Sequence, residues 1–448
     1  MLDSSSIKSI IFEHNIRKDM ILKALEEIKN YISQKELIIT GGTAIDMALR
    51  LKGGAIYDDK QIPDYDFIST NYFADAYEIA KILFEKGFPL VSVIPALHYG
   101  TVAVRIDFMS IADITYAPNI HWNKIKTFNY AGMKIIHPHY QILDQHYSLS
   151  HPYENPPVET VFHRWLKDMK RFDAIWKYYP VLIEENQNNA DVLSTNIYNI
   201  SIDPIVRTDN SCLGGNESLI FWLGAAKKMG FESKIDVEYK FDDKSLSFKC
   251  SCDVPFSGVH MFSDDFGHYV DKTTKYFEPF LDRIPRHIET LIEDKTYKIY
   301  DNYGQHICAH QHNIEVDKTQ WFCGIQLLMM MLMKEIVYPV DTISSTVSKW
   351  YLLMFNIVKW ASEKPEERYI FLPNAVVYGD YSWSQMQQIC VMNTFGTPEQ
   401  KAKVRRPPII HAEASLPPPV QYSVEGSLLG NYDGKEVQPF ETHKINVS

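Results

Sequence analysis

Cysteine is scarce in this chain: six residues in 448 (Cys212, Cys250, Cys252, Cys308, Cys323 and Cys390) form no disulfide framework, which argues against a secreted, cross-linked scaffold and for an intracellular, reducing compartment. Long apolar runs are missing too. The longest, Ile325 to Met333, is far short of a membrane span, and Met1 to Asn15 has no apolar core of signal-peptide length, so a soluble protein without a membrane partner is expected. Positive charge is not in excess. The 45 Lys and Arg face 56 Asp and Glu for a net charge of -11, which excludes a protein that coats nucleic acid with its whole surface and leaves only a local groove for RNA. No short-period repeat is present, which excludes a solenoid. What is plentiful is core-forming material, 45% hydrophobic and 13% aromatic. One hydrophobic core stops growing at about 250–300 residues, so two domains are expected.

Along the chain, Ile21, Leu22, Leu25, Ile28 and Ile32 recur at helix spacing, predicting a helix over 16–33. Glu36 to Thr40 is a short apolar strand that stops at Gly41-Gly42, after which Thr43 opens a helix ending near Gly53-Gly54. A polar connection from Ile56 to Pro63 leads to a strand over Asp64 to Ile68. Asn71 then caps a helix whose apolar face holds Phe73, Tyr77, Ala80 and Phe84, closed by Gly87. Residues 90–116 read as two or three strands and 156–179 as helix, while 184–210 is polar and irregular. The expected class is α+β: a first domain over 1–185 with a mixed sheet and packed helices, a second α+β domain over 186–400, and an extended Pro-containing tail over 401–448. In the second domain, helices are expected over 218–229, 319–338 and 345–361, and a strand over 245–252. Leu213-Gly214-Gly215 echoes Thr40-Gly41-Gly42, each before a helix.

Gly41 and Gly42 sit where a strand hands over to a helix, so a phosphate can approach the backbone and the unpaired N–H groups of the helix start, with the Thr43 hydroxyl as a further donor. Alone, this is an ordinary tight turn. Asp64 and Asp66 are two apart on a strand and point to the same face, with Cβ atoms roughly 7 Å apart. Such anions repel unless a cation joins them, and magnesium is held by one or two carboxylates plus phosphates and water. Asp107 ends the apolar run from Thr101 and is expected beside the Asp64 strand as a third carboxylate. Three acids beside a glycine turn suit two metals, one activating a 3′-hydroxyl and one holding the triphosphate.

The order Gly41-Gly42-Thr43, Asp64-Tyr65-Asp66 and then a lone Asp on a later strand resembles the DNA polymerase β nucleotidyltransferase superfamily. Gly41 to Asp46, Pro63 to Asp66, Arg105 to Asp107, Glu154 to Pro157 and Phe162 to Trp165 resemble the poly(A) polymerases of African swine fever virus and giant viruses, with poxvirus catalytic subunits more distant. The likeness covers about the first 180 residues. It implies ATP-dependent extension of mRNA 3′ ends, Asp64, Asp66 and Asp107 as metal ligands for Mg2+ with Mn2+ as a substitute, and Gly41, Gly42 and Thr43 at the triphosphate. It further implies a second domain copying the fold without its acids, RNA and ATP as partners, a homodimer or a separate processivity subunit, and a place in the host cytoplasm and the virion. The gap from Gly42 to Asp64 is longer than in the superfamily because Lys52 to Pro63 adds a loop. A CCA-adding or small-molecule nucleotidyltransferase, or an inactive RNA-binding scaffold, are the alternatives.

Arg164, Lys167 and Arg171 share one face of the 162–179 helix and could grip the triphosphate or an RNA phosphate, or be solvated charges among Asp168 and Asp173. Trp122, Phe128 and Tyr130 could stack on bases, although core packing is the commoner use. Cys250-x-Cys252 and Cys308-x-His310-x-His312 lack zinc-site spacing. Lys401 to Arg406 reads as a solubilising charge run.

Overall fold

The computed structural model describes residues 4–57, 63–96, 100–150, 161–183, 193–202, 211–241, 245–263, 266–277, 284–301, 309–314, 318–338 and 345–371. The chain divides into two compact units, Met1–Gln141 with Arg171–Pro180, and Ile142–Lys170 with Val181–Ser448. The expected tail over 401–448 lies outside the described residues. Among those described, no helix is long and apolar enough to cross a membrane.

The first unit opens with α1 (Ser4–Lys35), β1 (Ile38–Thr40), α2 (Gly41–Arg50), β2 (Tyr65–Ser69), α3 (Tyr72–Glu85), β3 (Ser92–Pro95), β4 (Thr101–Ile106) and β5 (Met109–Tyr116). It continues through α4 (Asn119–Trp122), β6 (Thr127–Tyr130) and β7 (Met133–Ile136) into α5 (Pro138–Ser150), and α6 (Val161–Tyr178) returns to it. The helix α1 is longer than its apolar spacing predicts, and it buries Ala24, Leu25, Ile28, Tyr31 and Ile32 as one stripe. Ile28 and Ile32 have no exposed surface, a burial that contributes about 1.5–3 kcal/mol each. The seven strands form one sheet in the order β3-β4-β5-β2-β1-β7-β6.

The helix α3 presents the opposite face from the one its large side chains predict. It buries Asp75, Ala76, Ile79 and Leu83, while Phe73, Tyr77 and Phe84 are 50%, 64% and 71% exposed. The cause is polar. Asp75 accepts hydrogen bonds from the hydroxyls of Tyr31 and Ser69, and these satisfied contacts turn the helix so that small and aliphatic residues meet the sheet.

In the second unit, β8 (Leu193–Ile202), β9 (Ser211–Leu213), α7 (Gly215–Lys228), β10 (Val237–Phe241), β11 (Leu246–Cys252), β12 (Val259–Ser263), β13 (Lys275–Phe277), β14 (His287–Ile292) and β15 (Lys295–Asp301) are followed by β16 (Ala309–Ile314), β17 (Lys318–Cys323), α8 (Ile325–Val337) and α9 (Ser345–Ser362). Two expectations change here. Residues 193–202 are strand, not irregular chain, and 318–323 is strand, with the helix starting only at Ile325. The expected alternation over 245–252 is present as β11.

A seven-stranded sheet in the order β13-β14-β15-β12-β9-β17-β16 repeats the first sheet strand for strand. The pairing directions repeat as well. The strand β1 is antiparallel to β2 and parallel to β7, and β9 is likewise antiparallel to β12 and parallel to β17. The faint Gly-Gly echo therefore marks an internal duplication of the whole sheet.

Candidate active site

Gly41 joins β1 to α2 with φ +63, a conformation that Gly adopts without steric cost. A Cβ there would collide with the Asp66 carboxylate and stand 2.7 Å from its Cγ, so the absent side chain is what lets an acid rest against the helix start. Thr43 is buried, and its hydroxyl donates to the carbonyl of Asp64 at 2.7 Å. Its proton ties the acid-bearing segment to α2, so Thr43 fixes the position of Asp64.

The acids are set by strand register. Thr40 of β1 is opposite Asp66 of β2, and Asp66 is opposite Asp113 of β5 in a parallel pair. Neighbouring strands are about 4.8 Å apart, so Asp66 and Asp113 are adjacent on one face, with Asp64 two residues earlier pointing the same way. The Asp113 carboxyl is raised above the usual carboxylate range by burial and by the charge of Asp64, against a lowering hydrogen bond from Ser110 and the charge of Arg105. The electrostatic coupling to Asp64 puts the three acids in one neighbourhood.

Asp107 is elsewhere. The strand β4 is separated from β2 by β5, so the run ending at Asp107 is not the neighbour of the Asp64 strand. Asp107 and Phe108 form the two-residue turn between β4 and β5, both with positive φ, as a right-twisted hairpin requires. Asp113 lies four residues further along β5 than Met109 at that turn, roughly 13 Å away. Asp107 instead forms an ion pair with Arg17 at 3.6 Å. Sequence reasoning missed Asp113, although an acid set between Ala112 and Ile114 in an apolar strand was a signal.

Among the described residues, no three His, Cys, Asp or Glu side chains are gathered closely enough to hold an ion alone. An open carboxylate row is nonetheless the donor set that suits Mg2+, which takes most of its remaining ligands from phosphates and water. Burial and the charge of Asp64 raise the Asp113 carboxyl, a penalty that a cation bound beside it would relieve.

Positive charge reaches the glycine turn from α6. A Cβ on Gly42 would collide with the Tyr57 hydroxyl and stand 2.6 Å from Nη2 of Arg171, and that nitrogen donates to Tyr57 Oη at 3.1 Å. Burial raises the Tyr57 phenol above its ordinary value, Arg171 opposes this, and Asp66 and Asp64 add to it. The Tyr57 hydroxyl thus lies against both Gly42 and Arg171. Arg164 and Lys167 lie on α6, but their side chains fall outside the described residues.

The remaining candidates have local roles. Phe128 is half-buried and packs against His137 and Tyr179, with ring centroids 4.8 and 5.8 Å away. Trp122 ends α4, Tyr130 ends β6, and neither is drawn to the acid row by any contact the structure shows. Cys250 and Cys252 are buried on β11 and bonded to each other, while Cys308 and the side chains of His310 and His312 lie outside the described residues.

In the second sheet the corresponding positions carry no acids. Gly215 repeats the positive φ of Gly41, and a Cβ on it would stand 2.9 Å from His260. The Gly214 N–H donates to the His260 carbonyl at 2.8 Å, and His260 pairs with Lys298 as Asp66 pairs with Asp113. Gly258, His260 and Lys298 therefore stand where Asp64, Asp66 and Asp113 stand. The helix start is also occupied from within: the Asn216 amide exchanges hydrogen bonds with the Phe256 backbone at 2.8 and 3.1 Å, and buried Glu217 accepts from the Tyr198 hydroxyl at 2.6 Å.

Residues 26–155 match the family of the poly(A) polymerase catalytic subunit. A protein of African swine fever virus (strain Badajoz 1971 Vero-adapted) named as a poly(A) polymerase catalytic subunit is 48% identical over 158 residues, which is 35% of this chain and 33% of the relative. One from Acanthamoeba polyphaga mimivirus with the same name is 30% identical over 38% of this chain and 28% of its own length. The matched region thus spans about a third of the length of these relatives. The crystal structure of the Megavirus polyadenylate synthase superimposes with TM-score 0.58 at 17% identity, covering 92% of this chain and 93% of that one, and so shares its fold.

Proposed function

We propose, from the match of residues 26–155 to the poly(A) polymerase catalytic subunit family, that the chain adds AMP from ATP to RNA 3′ ends without a template. The observation that carries this is the carboxylate row of Asp64, Asp66 and Asp113 beside the α2 start, where a Cβ at Gly41 would exclude the Asp66 carboxylate. Asp64, Asp66 and Asp113 would hold Mg2+ there, with Mn2+ as a substitute. Ions held there supply charge neutralisation for the triphosphate and lower the pKa of the 3′-hydroxyl. The protein's own part is placement. Gly41 leaves room at the helix start, Thr43 anchors Asp64, and the N–H groups opening α2 form the kind of helix start that favours anionic oxygens.

The name borne by the relatives, catalytic subunit, fits an enzyme working with a second polypeptide or a second copy of itself, which light scattering of the purified chain would separate. The activity test is incubation of the full chain with an RNA oligonucleotide and each nucleotide in turn. ATP is expected to give the longest products. Equal incorporation of all four nucleotides would remove the poly(A) assignment and leave nucleotidyl transfer.

A further inference from the structure

The polar loop between α2 and β2 has a fastened first half. The Asp46 carboxylate accepts the N–H groups of Ile56 and Tyr57 at 2.8 and 3.0 Å, and Arg50 donates to the Tyr57 carbonyl at 3.0 Å. Asp46 is itself paired with Arg50. Lys52 Nζ donates to the Tyr178 carbonyl at 2.7 Å, and Gly54 lies so close to α6 that a Cβ would stand 2.7 Å from the Tyr178 ring. Both backbone groups of Tyr57 are thus satisfied by α2, and the segment leading to it is tied to α6. A side chain mounted this way loses little conformational freedom when it binds a ligand.

The mount aims Tyr57 at the site. Its hydroxyl lies against Gly42, at the α2 start, and accepts from Arg171. A phenol that accepts from a guanidinium still has its own proton to donate, and the guanidinium has four further N–H groups. The pair presents fixed donors and one full positive charge over backbone N–H groups, beside the acid row. Phosphate oxygens are the ligand such a group fits, since Arg forks match their geometry and helix starts favour anions.

We propose that Tyr57 and Arg171 together bind the β- and γ-phosphates of the incoming nucleotide and the pyrophosphate that leaves, with residues 51–57 as their rigid mount. This rests on the nucleotidyl-transfer reading above and extends it to two side chains. As the primer 3′-oxygen bonds to the α-phosphorus and gives up its proton to water, the bond from that phosphorus to its bridging oxygen breaks, the electron pair stays on the leaving pyrophosphate, and Arg171 is placed to meet that charge.

The test uses the full chain with Tyr57→Phe and Arg171→Lys. Binding of inorganic pyrophosphate in magnesium buffer is measured by calorimetry, and KM for ATP and for RNA from primer extension. Loss of a hydrogen bond to a charged group corresponds to about tenfold or more. Each variant is therefore expected to bind pyrophosphate about tenfold more weakly, with a matching rise in KM for ATP, an unchanged KM for RNA and an unchanged thermal midpoint. Wild-type pyrophosphate affinity in both variants would overturn the proposal, and so would tighter binding by Tyr57→Phe, which would make the ring a plug. If Tyr57→Phe does not fold, Arg171→Lys decides. If the wild type extends no RNA but its pyrophosphate affinity still depends on Tyr57, the polymerase reading fails and this one stands. Normal extension with insensitive pyrophosphate binding gives the reverse.

Discussion

Replacing Asp113 by Asn should abolish primer extension, and replacing Asp107 by Asn should not. Asn keeps the shape and one acceptor oxygen but loses the charge that a bound cation requires. Asp113 is the in-register neighbour of Asp66, so the loss falls within the carboxylate row proposed to hold the cation. Charge stabilisation at a reacting oxygen is worth several kcal/mol; about 4 kcal/mol corresponds to roughly a thousandfold in rate. Asp107→Asn removes only a pairing at 3.6 Å with an Arg17 side chain that is 65% exposed, an interaction of the class worth about 0–1 kcal/mol. Folding gives a second readout. Because burial and Asp64 raise the Asp113 carboxyl, ionising it at neutral pH opposes folding of the metal-free protein, and the neutral Asn should leave the thermal midpoint equal or higher. The assay is single-turnover extension of an RNA primer with ATP and magnesium, alongside thermal melts without metal. If Asp107→Asn stops extension while Asp113→Asn runs at the wild-type rate, the register argument is refuted.

Gly41→Ala should cost more than Gly53→Ala, because both sit at positive φ but only the first would drive a Cβ into Asp66; equal thermal midpoints for the two variants would contradict this. Glu217, fully buried with one oxygen unpartnered, is raised by burial from 4.5 to about 7, so its protonated form contributes stability that is full below about pH 4.5 and lost as pH rises through about 7. Glu217→Gln should remove that loss, about 3 kcal/mol at its largest, and make the variant the more stable protein at pH 8, as denaturant titrations at pH 5 and pH 8 would check.

Local signals were legible wherever one element decided the outcome. The strand, glycine turn and helix at 38–50 follow from Ile38, Ile39 and the two glycines, and the alternation of β11 is plain in Leu246, Phe248, Cys250 and Cys252. What required pairing was not legible. Asp107 and Asp113 are both acids at a strand, and only the hairpin turn at Asp107-Phe108, which brings β5 against β2, separates them. The orientation of α3 was hidden for a similar reason. Phe73, Tyr77 and Phe84 form a better apolar stripe than Ala76, Ile79 and Leu83, until Asp75 is given its partners in Tyr31 and Ser69. Tyr57 gave no signal, since it lies in a polar connection and its importance depends on a carboxylate eleven residues earlier in sequence.

The duplication separates what the fold demands from what the chemistry demands. Both sheets keep a glycine at positive φ at the strand-to-helix junction, +63 at Gly41 and +59 at Gly215, and each glycine admits the side chain of the facing strand. Since His260 needs that space as much as Asp66 does, the glycine turn is a requirement of this sheet and helix arrangement and carries little weight for phosphate binding by itself. The positions that differ carry the weight. Asp64, Asp66 and Asp113 give way to Gly258, His260 and Lys298, so a row of anions becomes one that cannot attract a divalent cation. Gly42 gives way to Asn216, whose amide is committed to the Phe256 backbone, so the helix start open to Tyr57 and Arg171 in the first unit is filled by its own side chain in the second. The proposed nucleotide site therefore depends on acids in register across β2 and β5 and on an α2 start without a side chain and with a cation above it, and among the described residues only the first unit has both.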